Sequence, residues 1–286
     1  MANTIDIRRR IRSVKNTQQI TRAMKMVAAA RLRRAQDRIV AARPFAAALR
    51  DVLASAASRI ESQDHPLLRR REEKKVLLLV VSGDKGLAGA FNTNIIKGAQ
   101  NTARERGWSE LELITIGRKS SDFFRRRNLP VRHQAVNIFH TLTPDHAREI
   151  ADIIIEDYVS EKVDAVYVLY NQFKSVMSQI VTLDRLLPLE QREQPPAGVV
   201  EVDYIYEPGP EQILAELLPR HLEFQIYRSL LESAAAEHGA RMTAMESATK
   251  NAGELIESLT LTYNRIRQAS ITREIIEIVS GASALE

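Results

Sequence analysis

Few stretches of this chain carry residue types that could do chemistry. The best of them is Ser82-Gly83-Asp84-Lys85-Gly86-Leu87-Ala88-Gly89. It follows an apolar run, Val76 to Val81, and precedes a helical pattern. A strand–turn–helix at such a place can cradle a phosphate on backbone N–H groups. The glycine spacing argues otherwise: it is G-x-x-G-x-x-G, not the G-x-G-x-x-G of dinucleotide folds, and no G-x-x-x-x-G-K-[ST] occurs. The expected role is a tight turn with close helix–sheet packing. His140 and His146 stand six apart across Pro144, which suits no helical ligand pair, and the absence of cysteine excludes disulfides and thiolate metal sites. No Ser, His and Asp set stands out. The sequence therefore predicts no catalytic site, no cofactor and no metal.

Charge is the stronger signal. Residues 1–50 hold 13 Arg or Lys against Asp6 and Asp37, a net +11; the remainder holds 28 basic and 34 acidic residues, a net −6. A basic segment attached to a mildly acidic body calls for a partner with negative charge facing it. Nucleic acid fits poorly, because no aromatic residue is interleaved among these charges and only Phe45 lies nearby. A solvated or protein-facing helix is the expectation. Near the other end, Ile271, Ile275, Ile276, Ile278 and Val279 spread around a helix instead of along one stripe. A helix apolar all round expects to be surrounded.

The elements that position these residues follow from periodicity. From Ile7 an apolar stripe runs through Ile11, Val14, Gln18, Thr21, Met24, Ala28, Leu32, Ala35, Ile39, Ala42, Ala46, Leu49, Leu53 and Ala56: 14 steps over 49 residues. A second stripe runs Ala234, His238, Arg241, Met245, Ala248, Ala252, Leu255, Leu259, Thr262, Ile266, Ala269. A mean step of about 3.5 marks a left-handed coiled coil, and two such segments flanking a middle domain can pair antiparallel. Asn3 is a suitable N-cap, Pro44 is expected to bend or divide the first helix, and Pro219 to restart or kink the last. Gly253 adjoins Ala252 on the stripe, so either close backbone approach or simple tolerance explains it. Between the helices, strands are expected at Val76–Val81, Leu111–Ile116, Val131–Val136, Val163–Leu169, Val176–Leu187 and Val199–Tyr206. Helices are expected through Arg106, around Ser120–Arg127 and from Pro144 to about Ser160. This alternation argues for a parallel sheet covered by helices. No run reaches the ~18 apolar residues of a membrane span. The opening MANTIDIRRR lacks a signal-peptide core, so no cleaved leader is expected.

Three blocks, ITRAMKMVAAARLRRAQ from Ile20, SGDKGLAGAFN from Ser82, and SATKNAGELI from Ser247 followed by LTLTYNRIRQASITREIIEIVSGASAL from Leu259, give the chain a close resemblance to the gamma subunits of F-type ATP synthases. The resemblance covers the whole chain. One departure is Ala88, where the family often has Cys; the cysteine-bearing regulatory segment of chloroplast forms is also missing, so a bacterial type without thiol control is implied.

The resemblance implies an α/β fold class: a long antiparallel two-helix coiled coil made by both termini, residues 1–65 and 210–286, with a central Rossmann-like α/β domain at 66–209. It implies a non-catalytic rotor, one copy per complex. The rotor turns inside a ring of three alpha and three beta subunits, standing with epsilon on the membrane c-ring, and couples proton or sodium flow to ATP synthesis or hydrolysis on beta. The implied place is the cytoplasmic face of the bacterial plasma membrane. By family match, Met24, Lys25, Arg241, Arg267, Gln268, Thr272 and Glu274 make rotor–stator contacts. Ile271, Ile275, Ile276, Ile278 and Val279 form an apolar tip held by the ring, and Tyr204, Tyr206 and Glu207 face the c-ring and epsilon.

Overall fold

The computed structural model describes residues 4–57, 65–189 and 209–283. In chain order these form α1 (Thr4–Ala57), β1 (Lys75–Val81), α2 (Phe91–Glu105), β2 (Glu110–Ile116), α3 (Arg118–Arg126), β3 (Val131–Ala135), α4 (Pro144–Val159), β4 (Ala165–Phe173), β5 (Gln179–Leu187) and α5 (Pro210–Ser283). The expected N-cap Asn3, the predicted strand Val199–Tyr206 and the expected foot residues Tyr204, Tyr206 and Glu207 lie outside the described residues.

Of the alternatives expected at the two internal prolines, division and restart are ruled out. Pro44 does not divide α1, which runs as one helix of 54 residues, and Pro219 does not restart α5, which runs for 74. A proline forfeits one backbone hydrogen bond and clashes with the preceding turn. Here that cost is absorbed by long Ala-, Leu- and Arg-rich flanks of high helix propensity. Pro144 sits at the first position of α4, as predicted, and His146 Nδ1 accepts from the Thr143 N–H at 3.2 Å.

The chain forms two compact units, residues 1–28 with 242–286 and residues 29–241. In the larger unit the sheet order is β3-β2-β1-β4-β5; the first four strands are parallel and β5 pairs antiparallel with β4. Strand β1 is apolar on both faces because both are covered. Leu77, Leu79 and Val81 point to α4, α5 and the Leu49–Leu53 turn of α1, where Ile150, Ile154, Tyr158, Leu222 and Ile226 are almost fully buried. Val76, Leu78 and Val80 face Ile95 and Ala99 of α2 and Phe124 of α3. Within this unit α1 and α5 also meet each other: Leu32 and Ala35 cluster with Ala235, and the Phe45 and Phe224 rings lie 5.6 Å apart. A charged group ties three elements together. Arg132 on β3 pairs with Glu112 on β2 at 2.5 Å and with the buried Asp157 of α4 at 2.6 Å.

In the smaller unit the first part of α1 lies antiparallel to the last part of α5. Lys25 meets Glu246 at 2.6 Å, Thr21 meets Thr249 at 2.8 Å, and Arg8 meets Tyr263 at 2.6 Å; partner numbers rise as α1 numbers fall.

Candidate functional site

The loop after β1 is the only stretch where sequence suggested ligand chemistry, and its own chain fills it. The Gly83 N–H donates to Asn92 Oδ1 at 2.8 Å, and Asn92 Nδ2 donates back to the Lys85 carbonyl at 3.2 Å. Asp84 Oδ1 accepts from the backbone N–H of Arg118 at 3.1 Å and of Asn137 at 2.8 Å. Ser82 Oγ donates to Ser120 Oγ at 2.8 Å inside the turn. Gly117, at φ +90°, lets the backbone close on Ser82: a Cβ there would stand 2.1 Å from the Ser82 carbonyl oxygen. Helix α5 then seals the loop. A Cβ at Gly83 would meet the Glu237 carboxylate at 2.9 Å, and Arg241 binds Glu237 while donating to the Gly86 carbonyl at 3.2 Å. A phosphate would meet carboxylates and an amide oxygen here, and the predicted structural turn is what forms.

Burial shapes the charge state of this seal. Burial raises the Glu237 carboxyl above its ordinary value, against the pull of Arg241. Burial, with Arg241 and Arg31 nearby, lowers His238 to about 4, so the ring is neutral near pH 7. Arg241, expected as a rotor–stator contact, is thus placed at the loop; its side chain is 12% exposed. Among the described residues no three His, Asp or Glu side chains converge so as to hold a metal ion.

The N-terminal stripe is as predicted at its described side chains, which leave out Ala46 and Ala56. Ile7, Thr21, Ala28, Leu32, Ala35, Leu49 and Leu53 are buried, and Ile11, Val14, Gln18, Met24, Ile39 and Ala42 are half-buried. The C-terminal stripe holds from Ala234 to Ala252 and again at Leu259 and Ile266, and is one residue out at Leu255 and Thr262. Met245 and Ala252 are buried as expected, but Leu255 is 49% exposed and Thr262 and Ala269 are exposed. Beyond Met245 the half-buried positions are Ala248, Thr249, Gly253, Ile256, Leu259, Tyr263 and Ile266. Steps of 3-4 and 4-3 from Met245 give the same mean period, so periodicity alone could not choose between adjacent columns. The cross-helix partners choose: Thr249 faces Thr21, and Tyr263 faces Arg8. At Gly253 it is a side chain that comes near: a Cβ there would lie 3.2 Å from Gln18 Nε2.

The remaining expected contact residues divide between the seam and the open surface. Met24 and Lys25 are half-buried; Arg267, Gln268, Thr272 and Glu274 are exposed, with Ser270 donating to Glu274 at 3.4 Å. Every described side chain from Arg267 to Gly281 is exposed, including Ile271 at 47%, Ile275 at 55%, Ile276 at 58%, Val279 at 59% and Ile278 at 71%. So many large apolar groups on one helix end mark a surface made for another protein.

Paired helices with an exposed apolar end, and a doubly wound sheet whose phosphate position is occupied by its own side chains, define a class: a chain whose two terminal helices pair and whose middle is an α/β unit. The comparisons narrow that class. A family model described as ATP synthase matches residues 3–285. The ATP synthase gamma chain of Solibacter usitatus is 54% identical over 290 residues, covering all of both chains, and that of Geobacter sp. strain M21 is 52% identical over 291, again covering all of both. A chain in the central stalk and c-ring structure of the Tetrahymena thermophila mitochondrial ATP synthase superposes with a TM-score of 0.62 at 26% identity, covering 80% of this chain and 99% of that one. A chain of the Euglena gracilis enzyme at 18% identity shares the fold, with a TM-score of 0.70 over 99% of this chain and 94% of that one. The chain belongs to the ATP synthase gamma chain family.

Proposed function

We propose that this chain is the central-stalk rotor of a bacterial F1Fo ATP synthase. It is present once per complex and turns within the ring of three alpha and three beta subunits. It does no chemistry itself and couples ion flow, of protons or of sodium, to ATP synthesis or hydrolysis on beta. The observation that carries this reading is full-length identity of 54% to a gamma chain, with neither chain left over. The physical principle is population shift. A rotor changes the affinity of a catalytic site only to the extent that it contacts the site's conformations differently. The +11 charge of residues 1–50 supplies one such bias, and the exposed apolar end another.

On this reading residues 1–65 and 210–286 work as the shaft and 66–209 as the part beside it. Met24, Lys25, Arg241, Arg267, Gln268, Thr272 and Glu274 meet the ring. Ile271, Ile275, Ile276, Ile278 and Val279 sit in an apolar sleeve at its top, and Tyr204, Tyr206 and Glu207 face the c-ring and epsilon. The exposure of Arg267 to Gly281 supports the upper contacts. No described helix is long and apolar enough to cross a membrane, and the proposed place is peripheral, on the cytoplasmic face of the plasma membrane.

Purification of the untagged complex tests the assignment. Co-elution with alpha and beta at 1:3:3 is expected; a chain that elutes alone and binds ATP or NAD at the Gly83 loop, or binds nucleic acid in a salt-dependent way, overturns it.

A further inference from the structure

Between the two helices of the smaller unit lies a polar layer where apolar packing would be expected. Thr21 is only 8% exposed, and its hydroxyl lies 2.8 Å from that of Thr249. Each hydroxyl also reaches a carbonyl of its own helix, Thr21 to Gln18 at 3.0 Å and Thr249 to Met245 at 2.7 Å. Each carries a single hydrogen, so one donates across the seam while the other donates into its own turn. Gln18 Nε2 adds a second crossing bond, 3.4 Å to the Thr249 carbonyl, and fits because Gly253 has no Cβ. One turn along α1, Lys25 spans to Glu246 at 2.6 Å. Three consecutive links thus join α1 to α5 within about two helical turns.

We infer that this Gln18–Thr21–Thr249 layer, flanked by Lys25–Glu246, is a shear pin: it stops the two helices sliding past each other and so sets the torsional stiffness of the rotor. The inference rests on the rotor reading. Twisting a two-stranded coil requires its strands to roll and slide locally. Apolar knobs shift over one another at small cost, because dispersion contacts are non-directional. Hydrogen bonds weaken steeply with misalignment and resist the shift. Stability alone does not explain the layer, since replacing both partners of a buried hydrogen bond by apolar groups of the same shape is nearly neutral or stabilising. A polar pair kept within a coil seam instead fixes geometry.

Two isosteric double variants separate pinning from packing. T21V/T249V keeps the shape and removes both hydroxyls; T21S/T249S keeps the hydroxyls and removes both methyls. Each is assembled into the full complex with alpha and beta. Angular fluctuation of a bead on the rotor is then recorded while the ring is stalled, beside the midpoint of thermal disassembly. The valine pair is expected to assemble with an unchanged or higher midpoint and an unchanged unloaded hydrolysis rate, yet to show a wider angular distribution and less ATP made per ion. The serine pair is expected to have a lower midpoint and the native angular width. Angular width that follows the midpoint, with serine wider than valine, overturns the inference, as does failure of the valine pair to assemble while the serine pair does. Loss of 1:3:3 assembly for the unaltered chain would sink the rotor reading instead.

Discussion

Arg8 donates a 2.6 Å hydrogen bond to the Tyr263 hydroxyl, and its guanidinium carbon lies 5.5 Å from the centre of the same ring. One side chain is thus held twice by another, through the phenol and through the ring face. In the smaller unit this contact lies near the end of the paired part of the helices; beyond Ile266 every described side chain on α5 is exposed.

Removing the ring should loosen that end. Tyr263→Ala is expected to lose about 1 kcal/mol of local stability, from one hydrogen bond and one partly exposed cation–π contact. Amide hydrogen exchange in the assembled complex should speed up over Thr4–Val14 and stay unchanged in the α/β unit. Equal protection in both proteins would show that the contact is incidental.

The one-residue offset of the second stripe at Leu255 gives a paired test. Ile256→Asp puts a carboxylate into the seam and should cost about 3 kcal/mol or more, enough to prevent assembly. Leu255→Asp, one residue away at a 49% exposed site, should assemble. Recovery of a 1:3:3 complex by gel filtration reads both outcomes, and the reverse pattern would restore the original stripe.

Gly117→Ala should destabilise the α/β unit by about 3 kcal/mol, because the added methyl meets the Ser82 carbonyl and φ lies at +90°. Gly86→Ala, in the loop after β1, meets nothing within 4 Å and should be close to neutral. Denaturant midpoints of the two variants check the contrast.

His238 predicts a pH dependence with a definite sign. Its value falls from 6.5 unfolded to about 4 folded, so between those values the unfolded chain binds more protons. Stability contributed by this group is full above 6.5 and is lost as pH falls toward 4, by up to about 3 kcal/mol. His238→Gln should flatten the denaturant midpoint across that window. Glu237, raised by burial, works in the opposite direction, but it remains in both proteins and cancels from the comparison.

The charge of the first helix should act on coupling more than on folding. Replacing exposed Arg9, Arg33 and Arg34 by Gln is expected to leave the midpoint within about 0.5 kcal/mol while lowering ATP made per ion. Arg8 is left intact because Tyr263 holds it. An unchanged synthesis yield would remove charge from the mechanism.

The sequence was most legible where one residue type repeats against one kind of neighbour. The α1 stripe and the apolar β1 run could be read because burial on a fixed face leaves a period. The α5 stripe at Leu255 could not, because Leu255 and Ile256 are both apolar and adjacent, and only the partner helix distinguishes them. The seal on the Gly83 loop was equally hidden. Glu237 and Arg241 lie far along the chain from the loop, and nothing local in an Asn or a Glu announces that it will occupy a phosphate's place. Prolines 44 and 219 do not end their helices for a related reason: a local penalty of about 3 kcal/mol is small beside the packing of helices this long.

The closure of the loop by Glu237 and Arg241 has a consequence for how such a machine takes in information. A sheet of this topology elsewhere samples the adenine nucleotide pool directly, at the mouth that is stoppered here. Here the Gly83 N–H is spent on the Asn92 amide oxygen and the Glu237 carboxylate stands over the turn, so this loop does not read the phosphate of a nucleotide.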